Sequence, residues 1–269
     1  MRRRARPGAG PTALTALTAL VTVVLLVAGC APREARGETG EPHGPAGEPK
    51  IVALVYNGPQ GCDDCAPAVA RALRSLPRPV EVEYVGPGTG RPLTAATLAG
   101  AQLYVQPGGG DDLAGTWRDL AGSADAVRNW VRAGGSYLGL CFGGYLAGHD
   151  PGFGLVPGDT YGYAGSPGAE VPDGRHTVVE VSWRGRARHL YFQDGPAVEL
   201  RPGAGAEVLA TYSTGAAAVV VAPYGQGRVG VSGPHPEAEQ SWYDEHGLVN
   251  PDGVRLDLAR ELIERTLAR

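Results

Sequence analysis

The apolar run Ser136-Tyr137-Leu138-Gly139-Leu140 passes without a break into Cys141-Phe142-Gly143-Gly144, and this junction restricts the fold of the 269-residue chain most narrowly. A short continuous apolar run is the mark of a strand covered on both faces. Gly139-Leu140-Cys141-Phe142-Gly143 then has the G-x-nucleophile-x-G form of a sharp strand-to-helix turn. Such a turn forces its central residue into sparsely allowed backbone space, and glycines two residues to either side remove side chains that would collide across it. The chain is therefore expected to present Cys141 at the C-terminal edge of a sheet. A helix starting at the next residue would favour thiolate over thiol there, and the backbone N–H of Phe142 would face a developing oxyanion.

The rest of the sequence supplies strands and helices in alternation. Ile51 to Tyr56 is a second continuous apolar run, stopped by Asn57-Gly58-Pro59. Helical spacing of Val69, Leu73 and Leu76 predicts a helix from Ala66 to about Leu76, ended by Pro77. Strands are expected at Val80 to Val85 and Ala101 to Val105, and a helix over Ala124 to Arg132 with Ser123 as its cap. These units imply an α/β fold with a largely parallel sheet flanked by helices. Further strands are expected at Thr177 to Val181, His189 to Phe192, Glu207 to Tyr212, Ala217 to Val221 and Arg228 to Val231, and their short spacing reads as antiparallel additions in the second half. A helix from about Val254 to Leu267 closes the chain.

Two further segments complete a reactive constellation. Gly108-Gly109-Gly110 follows a predicted strand, and amides without side chains can approach a substrate carbonyl closely enough to supply a second oxyanion donor. Gly233-Pro234-His235-Pro236-Glu237 offers a histidine with a carboxylate two residues on. In an extended segment such residues face the same way, so Glu237 could orient His235 toward Cys141 in a Cys-His-Glu triad. Taken singly, Cys141 reads as a buried structural thiol and His235 as a structural histidine. Elbow, glycine loop and His-Pro-Glu together follow the order that one mechanism demands. His149, His176, His189 and His246 show no ligand spacing and read as surface or core residues. No metal site, cofactor or phosphate loop is read from the sequence.

The N-terminus reads as an export segment. Met1-Arg2-Arg3-Arg4-Ala5-Arg6 precedes an apolar run from about Ala13 to Val27, and Ala28-Gly29-Cys30 suits cleavage before a lipidated cysteine. Residues 1–29 are thus expected to be a lipoprotein signal peptide, with Cys30 as the mature N-terminus. Acyl chains such as palmitate on Cys30 would hold the domain at a membrane in an extracytoplasmic compartment. Residues 30–48, rich in Gly, Pro and Glu, read as a flexible tether, and 49–269 as one domain. Loss of the four signal arginines shifts the formal charge from −4 to about −8. An acidic domain without a basic stripe is a poor match for nucleic acid. Cys62 and Cys65, in a C-x-x-C, read as a local disulfide that stiffens the loop after the first strand. A redox role is the sharper alternative, opposed by Asp63 and Asp64, which would raise the thiol pKa.

At these residues the sequence resembles the class I glutamine amidotransferase-like superfamily, of flavodoxin-like architecture, whose triads join an elbow cysteine to a late His-x-Glu. Val55 to Pro59, Pro107 to Gly109, Gly135 to Gly144, Tyr191 to Pro196 and Ser232 to Glu237 are similar to the N-terminal domain of eukaryotic biotin protein ligases. The resemblance implies the fold and a triad of Cys141, His235 and Glu237. It does not imply biotin ligation, which belongs to a separate catalytic domain. Amidotransferases deliver ammonia to a synthase, and an exported lipoprotein has no evident acceptor. The expected activity is therefore that of a cysteine-dependent hydrolase or amidase on a small carbonyl compound, such as an amide or a cell-envelope peptide fragment. The alternative is a non-catalytic ligand-binding or scaffold module, with a homo-oligomer or an envelope protein as possible partner.

Overall fold

The computed structural model describes residues 50–268. The export segment, the Cys30 lipidation site and the tether lie outside the described residues. In chain order the elements are β1 (Ile51–Tyr56), α1 (Cys65–Arg74), β2 (Val80–Val85), α2 (Ala95–Ala99), β3 (Leu103–Gln106), α3 (Leu113–Leu120), a 3-10 turn (Ala121–Ser123), α4 (Ala124–Arg132), β4 (Ser136–Leu140) and α5 (Phe142–Leu146). The second half adds β5 (Gly158–Gly162), β6 (Thr177–Trp183), β7 (Arg186–Phe192), β8 (Pro196–Leu200), β9 (Glu207–Tyr212), β10 (Ala217–Tyr224), β11 (Gly227–Ser232), α6 (Gln240–Glu245) and α7 (Asp257–Leu267).

The strands form one sheet in the order β2-β1-β3-β4-β11-β10-β9-β6-β7, with β8 joining β10 to β5. From β2 to β11 every pairing is parallel. From β10 to β7 every pairing is antiparallel. The expectation of a parallel sheet with antiparallel additions therefore holds, with one refinement. β11 lies parallel to β4 and antiparallel to β10, so it belongs to both halves. A local reading of spacing cannot see this, because β11 enters the parallel sheet next to a strand some ninety residues earlier.

Strand alternation sorts the core into two layers. Ala53 and Val55 of β1 and Leu138 and Leu140 of β4 pack on one face with Val69 and Leu73 of α1 and Leu258 and Leu262 of α7. Leu54, Tyr104 and Tyr137 pack on the opposite face with Val127 and Val131 of α4. Each fully buried Leu contributes roughly 1.5–3 kcal/mol, which is why apolar runs without polar alternation become the central strands.

Some boundaries differ from expectation for identifiable reasons. Ser123 holds the N-cap position of α4 as expected, but its side chain makes no capping bond: it closes the 3-10 turn that links α3 to α4, and its hydroxyl donates to the Leu93 carbonyl at 2.6 Å. Helix α1 begins at Cys65 and carries Pro67 in its first turn, where no intrahelical N–H partner is lost. Helix α3, with Gly115 and Thr116 inside it, is instead fixed by the Asp112 side chain, which accepts from the Gly115 N–H at 2.6 Å.

Candidate active site

The turn after β4 has the predicted strain. Cys141 sits at φ 48° and ψ −107°, a region costly for a residue with a side chain. A Cβ on Gly139 would meet the Gly143 carbonyl, and one on Gly143 would meet the Gln106 carbonyl, so both glycines are required by the backbone. The turn is anchored from several sides. The Cys141 N–H donates to the Ser232 carbonyl at 2.7 Å, the Gly143 N–H to the Pro107 carbonyl at 3.1 Å, and the Tyr137 hydroxyl to the Gly143 carbonyl at 2.8 Å. The thiol itself is 8% exposed and donates to the Gln193 carbonyl at 3.3 Å. Among the described residues it is the one free cysteine.

Parallel pairing delivers the other groups. β3 and β11 flank β4, with Gln106 opposite Gly139 and Ser232 opposite Leu140. Both flanking chains therefore leave the sheet at the edge where Cys141 stands. From β3 comes the glycine loop, and from β11 come His235 and Glu237. His235 Nδ1 and Glu237 Oε1 are 2.8 Å apart, and the two residues are 4% and 1% exposed. The segment is not extended as expected. His235 forms a lone bridge with Tyr191, and Pro236 and Glu237 turn sharply, so the Ala238 N–H returns to the His235 carbonyl at 3.3 Å. The carboxylate reaches the ring through this turn.

Burial of His235 opposes its protonation. The charges of Cys141 and Glu237 and the hydrogen bond to Glu237 outweigh that cost and raise the imidazole to about 10. The site thus sets the Cys141 side chain beside an imidazole that a buried carboxylate holds and favours in its protonated form.

The glycine loop is divided. The Gly110 N–H is committed to the Gln60 carbonyl at 2.8 Å, which removes it as an oxyanion donor. Gly108 and Gly109 stand nearer the reactive groups. A Cβ on Gly108 would come within 2.9 Å of Cys65 Sγ and 3.0 Å of His235 Cε1, and one on Gly109 within 3.0 Å of the Phe142 ring. Phe142 opens α5, and a first-turn N–H has no intrahelical partner. Cys62 and Cys65 are disulfide-bonded, and both line the cavity that holds Cys141 and His235.

That cavity, about 650 Å³, shows what sequence reasoning missed. His176 and His246, read as surface or core residues, stack on each other in its wall with ring centroids 3.6 Å apart. Tyr191 shares a short hydrogen bond with His176 and packs edge-on against His235 and Trp242. Burial, and then the neighbouring His246, pull the His176 pKa below its usual value. A second cavity of about 400 Å³ lies against Phe142, Tyr145 and Asp194 and also reaches Cys141. Tyr145 donates to the Asp194 carbonyl at 3.0 Å and lines this cavity. Burial, reinforced by Asp111, pushes the Asp194 pKa up. By contrast His149 and His189 contact Asp159 and Asp252 respectively, and line neither cavity. No cluster of three potential metal ligands occurs among the described residues.

Residues 51–157 match the family described as "Biotin-protein ligase, N terminal". This stretch includes the glycine loop and Cys141 and stops before His235. None of the curated proteins matches the chain. Among solved structures, PurLQS from Thermotoga maritima is 15% identical, with 79% of this chain and 98% of that chain covered and a TM-score of 0.51. A GMP synthase subunit candidate from Thermoplasma acidophilum is 13% identical, with coverages of 81% and 92% and a TM-score of 0.49. At such identity the likeness to PurLQS shows the fold alone, a mostly parallel sheet flanked by helices with antiparallel strands added.

Proposed function

We propose that this domain is a cysteine-dependent amidase or hydrolase of small carbonyl substrates, carried on a lipoprotein held at the outer face of a cell membrane through Cys30. The observation that supports the catalytic reading best is the strained Cys141 turn beside the buried His235–Glu237 pair. Structural thiols do not require positive φ, and a fully buried ion pair is weak evidence of stability in its own right. Perturbed groups clustered in a cavity are the common signature of a reactive site.

In this reading the Cys141 thiolate attacks the substrate carbonyl, and the N–H groups of Phe142 and of Gly108 or Gly109 receive the oxyanion. The His235 imidazolium protonates the departing group and then takes a proton from the water that releases the acyl chain. Glu237 holds the ring through Nδ1 and leaves Nε2 for this exchange. The Cys62–Cys65 bridge forms part of the wall and takes no part in the chemistry.

The test is the rate of Cys141 alkylation by iodoacetamide across pH in the purified full chain, with Cys62 and Cys65 kept oxidised. Fast labelling at pH 6, slowed in His235→Ala, supports the activated thiolate. Slow labelling that neither His235→Ala nor Glu237→Ala changes would overturn it and favour a ligand-binding module in which Cys141 is architecture.

A further inference from the structure

The nucleophile stands where two cavities meet. Cys141, Gly109 and Gln193 line both, whereas His235 lines only the larger and Phe142 only the smaller. This division orients a substrate. The carbonyl oxygen must point to the Phe142 N–H, and with the departing group on the His235 side the acyl substituent is left the smaller cavity, against Tyr145 and Asp194. The departing group must lie within reach of its proton donor, His235, and therefore in the larger one.

Size then selects the departing group. Ammonia, the product of a primary carboxamide, is about as large as water, roughly 30 Å³. The cavity on the His235 side is about 650 Å³. Its wall offers the indole of Trp242 and the stacked rings of His176 and His246, surfaces suited to a planar apolar body. Four carboxylates, Asp63, Asp64, Glu239 and Glu245, line it with the single guanidinium of Arg71, which already pairs with Asp64 and Glu239. An amine product suits this wall, and an anionic one does not.

Resting on the proposed catalytic reading, we infer that the natural substrate is a substituted amide whose amine half, far larger than ammonia, fills the cavity beside His235. In acylation the Cys141 Sγ–carbon bond forms, the carbon–nitrogen bond breaks with its electron pair on nitrogen, and the His235 proton passes to that nitrogen. In deacylation water adds to the thioester and gives its proton to His235, the sulfur–carbon bond breaks, and a carboxylic acid leaves.

Aminolysis of the acyl-enzyme is the reverse of the acylation step, so it reports on the amine cavity without knowledge of the acyl group. The full chain would be acetylated with p-nitrophenyl acetate and offered ammonia, benzylamine or p-xylylenediamine at equal free-base concentration, with Cys141→Ala as background. Expected is a p-nitrophenol burst that requires Cys141, followed by deacylation that saturates with either aromatic amine. Their N-acetyl products should exceed acetamide at least tenfold, and Trp242→Ala should reduce that excess. A burst followed by equal or better capture by ammonia, or by a linear dependence on every amine, would overturn the inference and leave the triad standing. No burst above the Cys141→Ala background would overturn both.

Discussion

Ser232 lies directly opposite Leu140 in the parallel pairing of β11 with β4, and its carbonyl accepts the Cys141 N–H at 2.7 Å. This single register position places the end of β11 beside the elbow, so His235 and Glu237 meet a cysteine more than ninety residues earlier in the chain. A one-residue slip would reverse every β11 side chain and carry His235 away from Cys141. The proposed triad thus depends on sheet register as much as on its three residues.

The proton on His235 links this geometry to pH. In the unfolded chain the imidazole titrates near 6.5, and in the fold it is raised to about 10 by Cys141 and Glu237 against the cost of burial. A folded pKa above the unfolded one gives stabilisation that is complete below about pH 6.5 and is lost as pH rises toward 10. Urea midpoints of the wild type should therefore fall between these values more steeply than those of His235→Gln. Equal slopes would mean that His235 does not hold its proton in the fold. In turnover, the same deprotonation should set the alkaline limb of kcat/KM near 10.

Removing the Glu237 charge isolates orientation from burial. Glu237→Gln keeps the side-chain volume but withdraws the anion that balances the imidazolium and fixes its ring. Cys141 labelling at pH 6 should slow on the order of tenfold or more, and any turnover should fall within the roughly 100- to 10,000-fold contributed by a positioned base. A Glu237→Asp variant, which restores charge at shorter reach, should recover part of the loss. An unchanged labelling profile in Glu237→Gln would assign the carboxylate to packing alone.

The parts visible in the sequence were those with strong local signals. β1, β2, β4, β9 and α4 fall where the sequence pattern places them, β1 and β4 as contiguous apolar runs, β2 as an alternating one and α4 as a helical stripe. The elbow was legible because only glycine fits at positions 139 and 143. β8 begins at Pro196 and β5 is Gly-Asp-Thr-Tyr-Gly, so both lack a strand-like pattern and exist because they pair with each other and β8 pairs with β10. The cavity wall was hidden for a related reason. Tyr191 stands near the end of β7, at the far side of the pairing order, yet it bridges to His235. That bridge sets Tyr191 and Trp242 against His235, with His176 and His246 packed on Tyr191 behind it, and no local spacing encodes the contact.

The elbow glycines predict a destabilisation of unusual size for one methyl group. In Gly143→Ala the new carbon meets the Gln106 carbonyl, part of the backbone of β3, so relief requires movement of a central strand. Overpacking against a rigid neighbour costs typically about 1–3 kcal/mol, and here it also displaces the Phe142 N–H. Urea unfolding should show a loss at or above that range, whereas Gly122→Ala, with open space around the added carbon, should change stability little. Similar losses in the two variants would mean that the elbow can widen freely.

The disulfide should matter to the site through its wall. It closes a four-residue span, for which chain entropy alone gives about 2 kcal/mol. Cys65 is 3% exposed and its sulfur crowds the face of Gly108 that also meets His235. The Cys62→Ser, Cys65→Ser double variant should therefore lose up to about 2 kcal/mol of stability. Its Cys141 labelling should slow as Gly108 and His235 relax into the vacated volume, with dependence on His235 retained. If these sulfurs were instead redox partners of Cys141, reduction of the wild type would abolish activity that the double variant also lacked from the start. Labelling that follows stability smoothly, with full activity in dithiothreitol, would assign the bridge to structure.

Attachment can be tested apart from catalysis. Residues 1–29 read as a signal peptide and Cys30 as the acylated residue, and no helix among the described residues is long and apolar enough to cross a membrane. A single acyl chain holds a protein only reversibly, whereas several chains on one residue make release slow. In cells producing the full chain, the protein should sediment with membranes, resist salt and carbonate extraction, and partition into detergent. Cys30→Ser should shift it to an uncleaved or soluble form while its Cys141 labelling profile stays that of the wild type. A Cys30→Ser protein that still partitions as the wild type does would remove the lipid anchor and leave the uncleaved apolar segment as the attachment.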